Sequence, residues 1–183
     1  DTIDGRLART ARTRAAIVTA VLGIIRDGEP NPTVATIAAQ AGVSERSVFV
    51  HFADLKDLHA AVGTELLRGH LARHRSIDRS LPFDERLDRF VAQRARTLEA
   101  VTPFRRGALR YEGVSAALAA QRRQWAQLAQ AELAAVFATE LGAPPDRTRL
   151  DLAATLSSWA AWNELRVGAG LSRTTATATM RTG

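Results

Sequence analysis

The residue types able to do chemistry in this sequence concentrate between Thr33 and Phe52. Glu45, Arg46, Ser47, Phe49 and His51 follow Ser44 in one short stretch, interleaved with the apolar Val48 and Phe52 at helical spacing. A helix that buries Val48 and Phe52 turns the other five outward, and it is slim enough to enter a DNA major groove about 12 Å wide. The chemistry implied is recognition of base edges and phosphates, not bond breaking. There is no phosphate-binding loop, no Gly-x-Gly-x-x-Gly and no nucleophile elbow in the sequence. His70 and His74 stand four residues apart and could share a metal, but no third ligand sits at a suitable spacing, and a solvated helix face accounts for them. Cysteine is absent, which removes disulfides, thiolate metal sites and a thiol nucleophile from these residues. Neither enzymatic activity nor a cofactor is expected.

The elements that must position these residues are helices. Helical periodicity recurs along the sequence and two-residue alternation does not, so the expected fold class is all-α with about nine helices. The first helix should run from about Arg9 to Arg26 with Ile17, Val21, Ile24 and Ile25 on its buried stripe, and Gly28 and Pro30 stop it. Thr33 caps a second helix that buries Val34, Ile37, Ala38 and Ala41 and ends at Gly42. Ser44 caps the third, Glu45 to His51. The alanines let the two helices cross closely, Gly42 permits the tight turn between them, and Val43 plugs the core. Two helices joined in this way form the pattern of a helix-turn-helix. A fourth helix starts near Asp54 and carries Leu55, Leu58, Val62 and Leu66 along one face.

Thr33-Val34-Ala35-Thr36-Ile37-Ala38-Ala39-Gln40-Ala41-Gly42-Val43-Ser44, followed by Ser47-Val48-Phe49-Val50-His51-Phe52, closely resembles the DNA-binding module of tetracycline-repressor-type regulators. The likeness covers roughly Arg9 to Leu67. It implies a homodimer that binds a palindromic operator in double-stranded DNA, with a C-terminal domain that senses a small-molecule effector. In that family the positions of Thr33 and Ser44 start helices and often touch phosphate, although a cap is their role in any helical protein. Arg46 and Ser47 fall where base-edge readers occur, and an arginine bidentate to guanine contributes about 1–3 kcal/mol of discrimination. Phe49 takes the place of a tyrosine whose hydroxyl reaches the DNA backbone, which leaves apolar contact such as that with a thymine methyl. His51 matches a histidine whose ring can donate to phosphate or simply pack. Leu55 stands where a lysine is common, and Lys56 is the substitute charge.

The second half follows a linker. Residues 76–83 hold Ser80 and Pro82, so the expected division is a DNA-binding domain at 9–67, joined by the fourth helix to an effector-binding and dimerisation domain at 76–183. Periodicity there predicts a helix from Asp84 to Val101 broken by Pro103, a short one from Phe104 to Tyr111, a long one from Ser115 to Leu141, and one capped by Asp146 that runs to Val167. A last helix follows Ser172. Candidate effector contacts are Phe104, Arg110, Tyr111, Trp125 and Trp159, although an aromatic at helical spacing is more often core, and Arg110 with Glu112 is more readily a solvated pair. Leu152, Leu156, Trp159, Ala160 and Asn163 make a stripe suited to a four-helix dimer contact.

Charge sharpens this. The chain of 183 residues carries a formal net charge of +6, and four arginines (Arg6, Arg9, Arg12 and Arg14) with no acid lie between residues 6 and 14. From Ala15 to Leu67 acids outnumber bases, so attraction to phosphate is expected to lean on the N-terminal arm, Arg12 included, and on Lys56. The alternative function is a non-specific, nucleoid-type DNA binder that uses this arm. No apolar run approaches the roughly 20 residues needed to span a bilayer, and the expected location is the cytoplasm with no membrane partner.

Overall fold

The computed structural model describes residues 2–183, with side chains from residue 5 onward. These residues form helices α1 (Thr2–Arg26), α2 (Val34–Ala41), α3 (Glu45–His51), α4 (Leu55–Arg73), α5 (Phe83–Glu112), α6 (Ala116–Val136), α7 (Ala138–Leu141), α8 (Arg147–Leu156), α9 (Trp159–Asn163) and α10 (Arg173–Thr182). A π-helical turn, Glu164–Gly168, continues α9. The fold is all-α, with no strand among the described residues, and no helix there is long and apolar enough to cross a membrane.

The chain divides into two compact units, each made of separate stretches of sequence. The first comprises Asp1–Leu71 and Pro103–Gln121, the second Ala72–Thr102 and Arg122–Gly183. The 76–83 stretch, expected to separate domains, lies inside the second unit, where Ile77 packs against the core.

The core of the first unit is the stripe that periodicity marks. Ile17, Val21, Ile24 and Ile25 of α1 meet Ile37 and Ala38 of α2, Val48 and Phe52 around α3, and Leu58 and Val62 of α4. Each fully buried side chain of this size contributes about 1.5–3 kcal/mol. Two further members, Phe104 and Ala108, come from the far half of α5. Their approach requires a glycine at 107: a β-carbon there would collide with the backbone oxygen of Pro30 in the α1–α2 loop. The N-terminal segment is also more regular than expected, since α1 begins at Thr2 and not near Arg9, so the arginine-rich arm is helical.

The second unit buries Phe90, Val91, Leu98, Leu133, Val136, Phe137, Leu150 and Trp162. Arg86 is buried with them. It bonds both oxygens of Glu140 (3.0 and 2.5 Å), the Val136 carbonyl (2.6 Å) and the Leu81 carbonyl (3.0 Å). The predicted helix from Ser115 to Leu141 is interrupted at Phe137, directly after the carbonyl that Arg86 takes.

Two expectations are corrected here. Pro103 does not end a helix, because α5 runs through it as one 30-residue element. A proline inside a helix forfeits one backbone bond and costs about 3 kcal/mol. The preceding turn is held by the Thr102 hydroxyl, which donates to the Leu98 carbonyl (2.6 Å) and accepts the Trp159 indole N–H (3.0 Å). Conversely, the helix capped by Asp146 does not run unbroken to Val167. It stops at Leu156; Ser157 donates to the Ala153 carbonyl (2.7 Å), and Ser158 becomes the N-cap of α9 by accepting from the Ala161 N–H (3.2 Å). Serine side chains compete with the helix for backbone groups, and the Ser157 carbonyl accepts from the Arg94 guanidinium (2.7 Å).

Candidate nucleic-acid interface

The α2–turn–α3 segment is built from three local devices. Thr33 has extended backbone and its hydroxyl oxygen accepts from the Thr36 N–H (3.1 Å), which caps α2. Gly42 closes α2 at φ +68°, a left-handed conformation that costs an L side chain about 1–3 kcal/mol; the following Val43 N–H reaches the Ala38 carbonyl (3.0 Å). Ser44 then accepts from the Ser47 N–H (3.1 Å) and starts α3. The Ser44 cap uses its side-chain oxygen as an acceptor and leaves its hydroxyl proton available to a second acceptor such as phosphate, whereas the Thr33 hydroxyl also shares a hydrogen bond with that of Thr36 (2.8 Å).

α3 is polarised as its spacing implies. Val48 is fully buried, and Phe52 beyond the helix end is too, whereas Glu45, Arg46, Phe49 and Val50 are exposed. Ser47 and His51 are half-buried. Arg46, Phe49 and Val50 share one face, at i, i+3 and i+4.

Arg14 is held inward. Its guanidinium donates to the His51 carbonyl, lies 4.0 Å above the Phe52 ring and sits 3.9 Å from Asp57. It fastens α1 to the end of α3 and is occupied there, while Arg6, Arg9 and Arg12 are exposed along α1. Lys56, the expected substitute for the charge missing at Leu55, pairs with Asp54 at 3.2 Å. Asp54 also accepts from the Asp57 N–H (2.9 Å), and that bond, chiefly, holds its carboxyl below the ordinary range. Asp57 in turn accepts from the Ala53 N–H (3.3 Å), so the start of α4 is capped reciprocally.

The five candidate effector residues separate between the units. Phe104, Arg110 and Tyr111 gather in the first around His59 of α4, a residue the periodicity did not single out. His59 is 4% exposed, with its ring 5.0 Å from that of Tyr111 and 5.9 Å from that of Phe104. Its Nδ1 has no hydrogen-bond partner among the described residues. Burial, and secondarily the positive Arg110, push its pKa down to about 4. Position 59 falls on the Leu55–Val62–Leu66 stripe of α4, and that placement was the available sign that it would be buried. Arg110 lies 4.9 Å over the Tyr111 ring, and Glu112 is bonded to Arg105 at 2.7 Å. Trp125 and Trp159 belong to the second unit and are half-buried. That unit has a cavity of about 450 Å³ lined by Phe83, Phe90, Leu133, Phe137, Leu156 and Met180 among others, and none of the five residues lines it. Of the dimer candidates, Leu152 (58% exposed), Leu156 and Ala160 are exposed, and Trp159 and Asn163 are half-buried.

No protein-family model matches the sequence, and no curated protein matches it. Among solved structures, a transcriptional regulator from Rhodococcus sp. Rha1 superposes with a TM-score of 0.69 over 92% of each chain, at 20% sequence identity. The chain therefore shares the fold of a transcriptional regulator. At that identity the likeness concerns architecture alone, and the case for DNA rests on α2, α3 and their caps.

Proposed function

We propose that this chain is a sequence-specific DNA-binding transcription regulator of the tetracycline-repressor type. The observation that carries the reading is the α2–Gly42–α3 segment: two capped helices around a left-handed glycine, with Val48 and Phe52 inward and Arg46 outward on a seven-residue helix. In this reading α3 lies in the major groove and Arg46 and Ser47 choose bases. The Thr33 and Ser44 hydroxyls, His51 and the exposed Arg12 meet phosphates, with Lys56 released from Asp54 to do the same. The regulator acts as a homodimer on a palindromic operator, and the exposed Leu152 and Leu156 on α8 support that part. It represses until a small-molecule effector releases it. The cluster of Phe104, Arg110 and Tyr111 around His59 supports an effector contact at α4, which begins three residues after Phe52 and so transmits displacement to α3.

Selection of bound sequences from random duplex DNA tests the proposal. The expected product is a palindrome whose half-site centres lie about 34–36 Å apart, or a multiple of it. Arg46→Ala should sharply lower preference for that palindrome over random duplex at matched salt while the oligomeric state is kept. Recovery of no preferred sequence would leave the arginine-driven, non-specific mode in its place.

A further inference from the structure

Val50 is 72% exposed and Phe49 52% exposed, and they are consecutive on α3. Neither side chain is spent on the core, which α3 serves through Val48. Nor does the helix gain from them, since β-branched and aromatic residues are mildly unfavourable in a helix. At about 100° per residue, Val50 stands about 40° from Arg46 around the axis and Phe49 about 60° on the other side, while Val48 lies nearly opposite. The guanidinium is thus flanked by two apolar side chains on one outward face. A rise of about 1.5 Å per residue puts Val50 about 6 Å along the axis from Arg46, close to two base-pair steps of about 3.4 Å.

Resting on the DNA reading above, we propose that Phe49 and Val50 read thymine C5-methyl groups within two base pairs of the guanine taken by Arg46. The thymine methyl is the one apolar feature that the major-groove edge of a base pair presents. A valine offers no donor or acceptor, and a phenylalanine offers none either, so discrimination at these positions comes from burying a methyl group and from the penalty of desolvating a polar edge instead. Duplex DNA is favoured over a protein surface as the occupant because a permanently charged Arg46 stands between the two apolar residues. It would cost several kcal/mol if enclosed unpaired in an apolar interface, whereas guanine O6 and N7 accept both its donors.

The test uses the full chain and the duplex recovered by selection, with each thymine replaced singly by deoxyuridine, which removes the methyl and nothing else. One or two positions per half-site, within two base pairs of a guanine, should weaken binding about fourfold each, the equivalent of one buried methyl. Val50→Ala should erase the thymine-over-deoxyuridine preference at one of them and Phe49→Ala at another, with melting temperature unchanged because both side chains are exposed. Equal affinity for every deoxyuridine duplex, or a selected site with no thymine near its guanine, overturns the methyl readout and leaves the DNA reading standing. A selection that recovers no site overturns both.

Discussion

The guanidinium of Arg14 lies 4.0 Å above the ring of Phe52 and donates to the carbonyl of the neighbouring His51. A residue of α1 thereby seals the end of α3, the point at which that helix is anchored to the core of the first unit. The four arginines near the N-terminus are therefore not equivalent: one is structural and the exposed ones remain available to phosphate.

Arg14→Ala is expected to destabilise the protein by about 1–3 kcal/mol, through loss of the cation–π contact and of a charge-assisted bond to a helix-end carbonyl. Arg12→Ala should leave stability unchanged and lower the slope of log affinity for DNA against log salt by about 1. Urea denaturation and a salt titration of DNA binding separate the two. Identical behaviour of the two variants would refute the division of roles.

Gly42 and Gly107 are required for different reasons, and substitution should show it. Gly42→Ala meets open space but keeps φ at +68°, so its cost is backbone strain of about 1–3 kcal/mol. Gly107→Ala has no dihedral conflict but drives a methyl into the backbone oxygen of Pro30, and a backbone atom cannot swing away as a side chain would. Overpacking of that kind costs about 1–3 kcal/mol or more. Gly42→Asn, which tolerates the left-handed region, should recover part of the first loss, while no small L-residue recovers the second; chemical denaturation of the three variants reads this directly.

Burial holds the folded-state pKa of His59 at about 4, below its ordinary 6.5. The unfolded chain therefore takes up a proton first as the pH falls, and stability contributed by the neutral imidazole is full above pH 6.5 and declines between 6.5 and 4. The loss should approach about 3 kcal/mol at the acid end of that window. His59→Phe keeps an aromatic ring between Tyr111 and Phe104 and should flatten this part of the stability–pH profile. A wild-type profile with no slope between pH 6.5 and 4 would contradict the assignment.

Leu152→Glu together with Leu156→Glu places charge on the exposed apolar residues of α8. If α8 is the dimer face, sedimentation should show a shift toward monomer with the helix content retained, and affinity for a palindrome should fall while that for a single half-site persists. An unchanged sedimentation coefficient would move the dimer contact elsewhere.

What the sequence determined by itself was whatever closes within one or two helical turns. The caps at Thr33, Ser44, Asp146 and Ser172 bond three residues ahead, Gly42 ends α2 through its own dihedral, and the apolar stripe of α1 follows from 3.6-residue periodicity. On α3 the same periodicity made Glu45, Arg46 and Phe49 legible as exposed, whereas Ser47 and His51 are half-buried and the exposed Val50 was not among the residues expected outward. Only the tertiary structure decided the pairings across long separations: Arg14 with His51 and Phe52, Arg86 with Glu140, and the stretch from Phe104 to Tyr111 with His59. Pro103 read as a stop because helix propensity counts only the lost bond, and two serines read as ordinary helix residues although they end α8. In both cases the outcome depended on partners far away in sequence, Trp159 for the turn at Thr102 and Arg94 for the Ser157 carbonyl, and no local pattern encodes a partner that folding alone brings near.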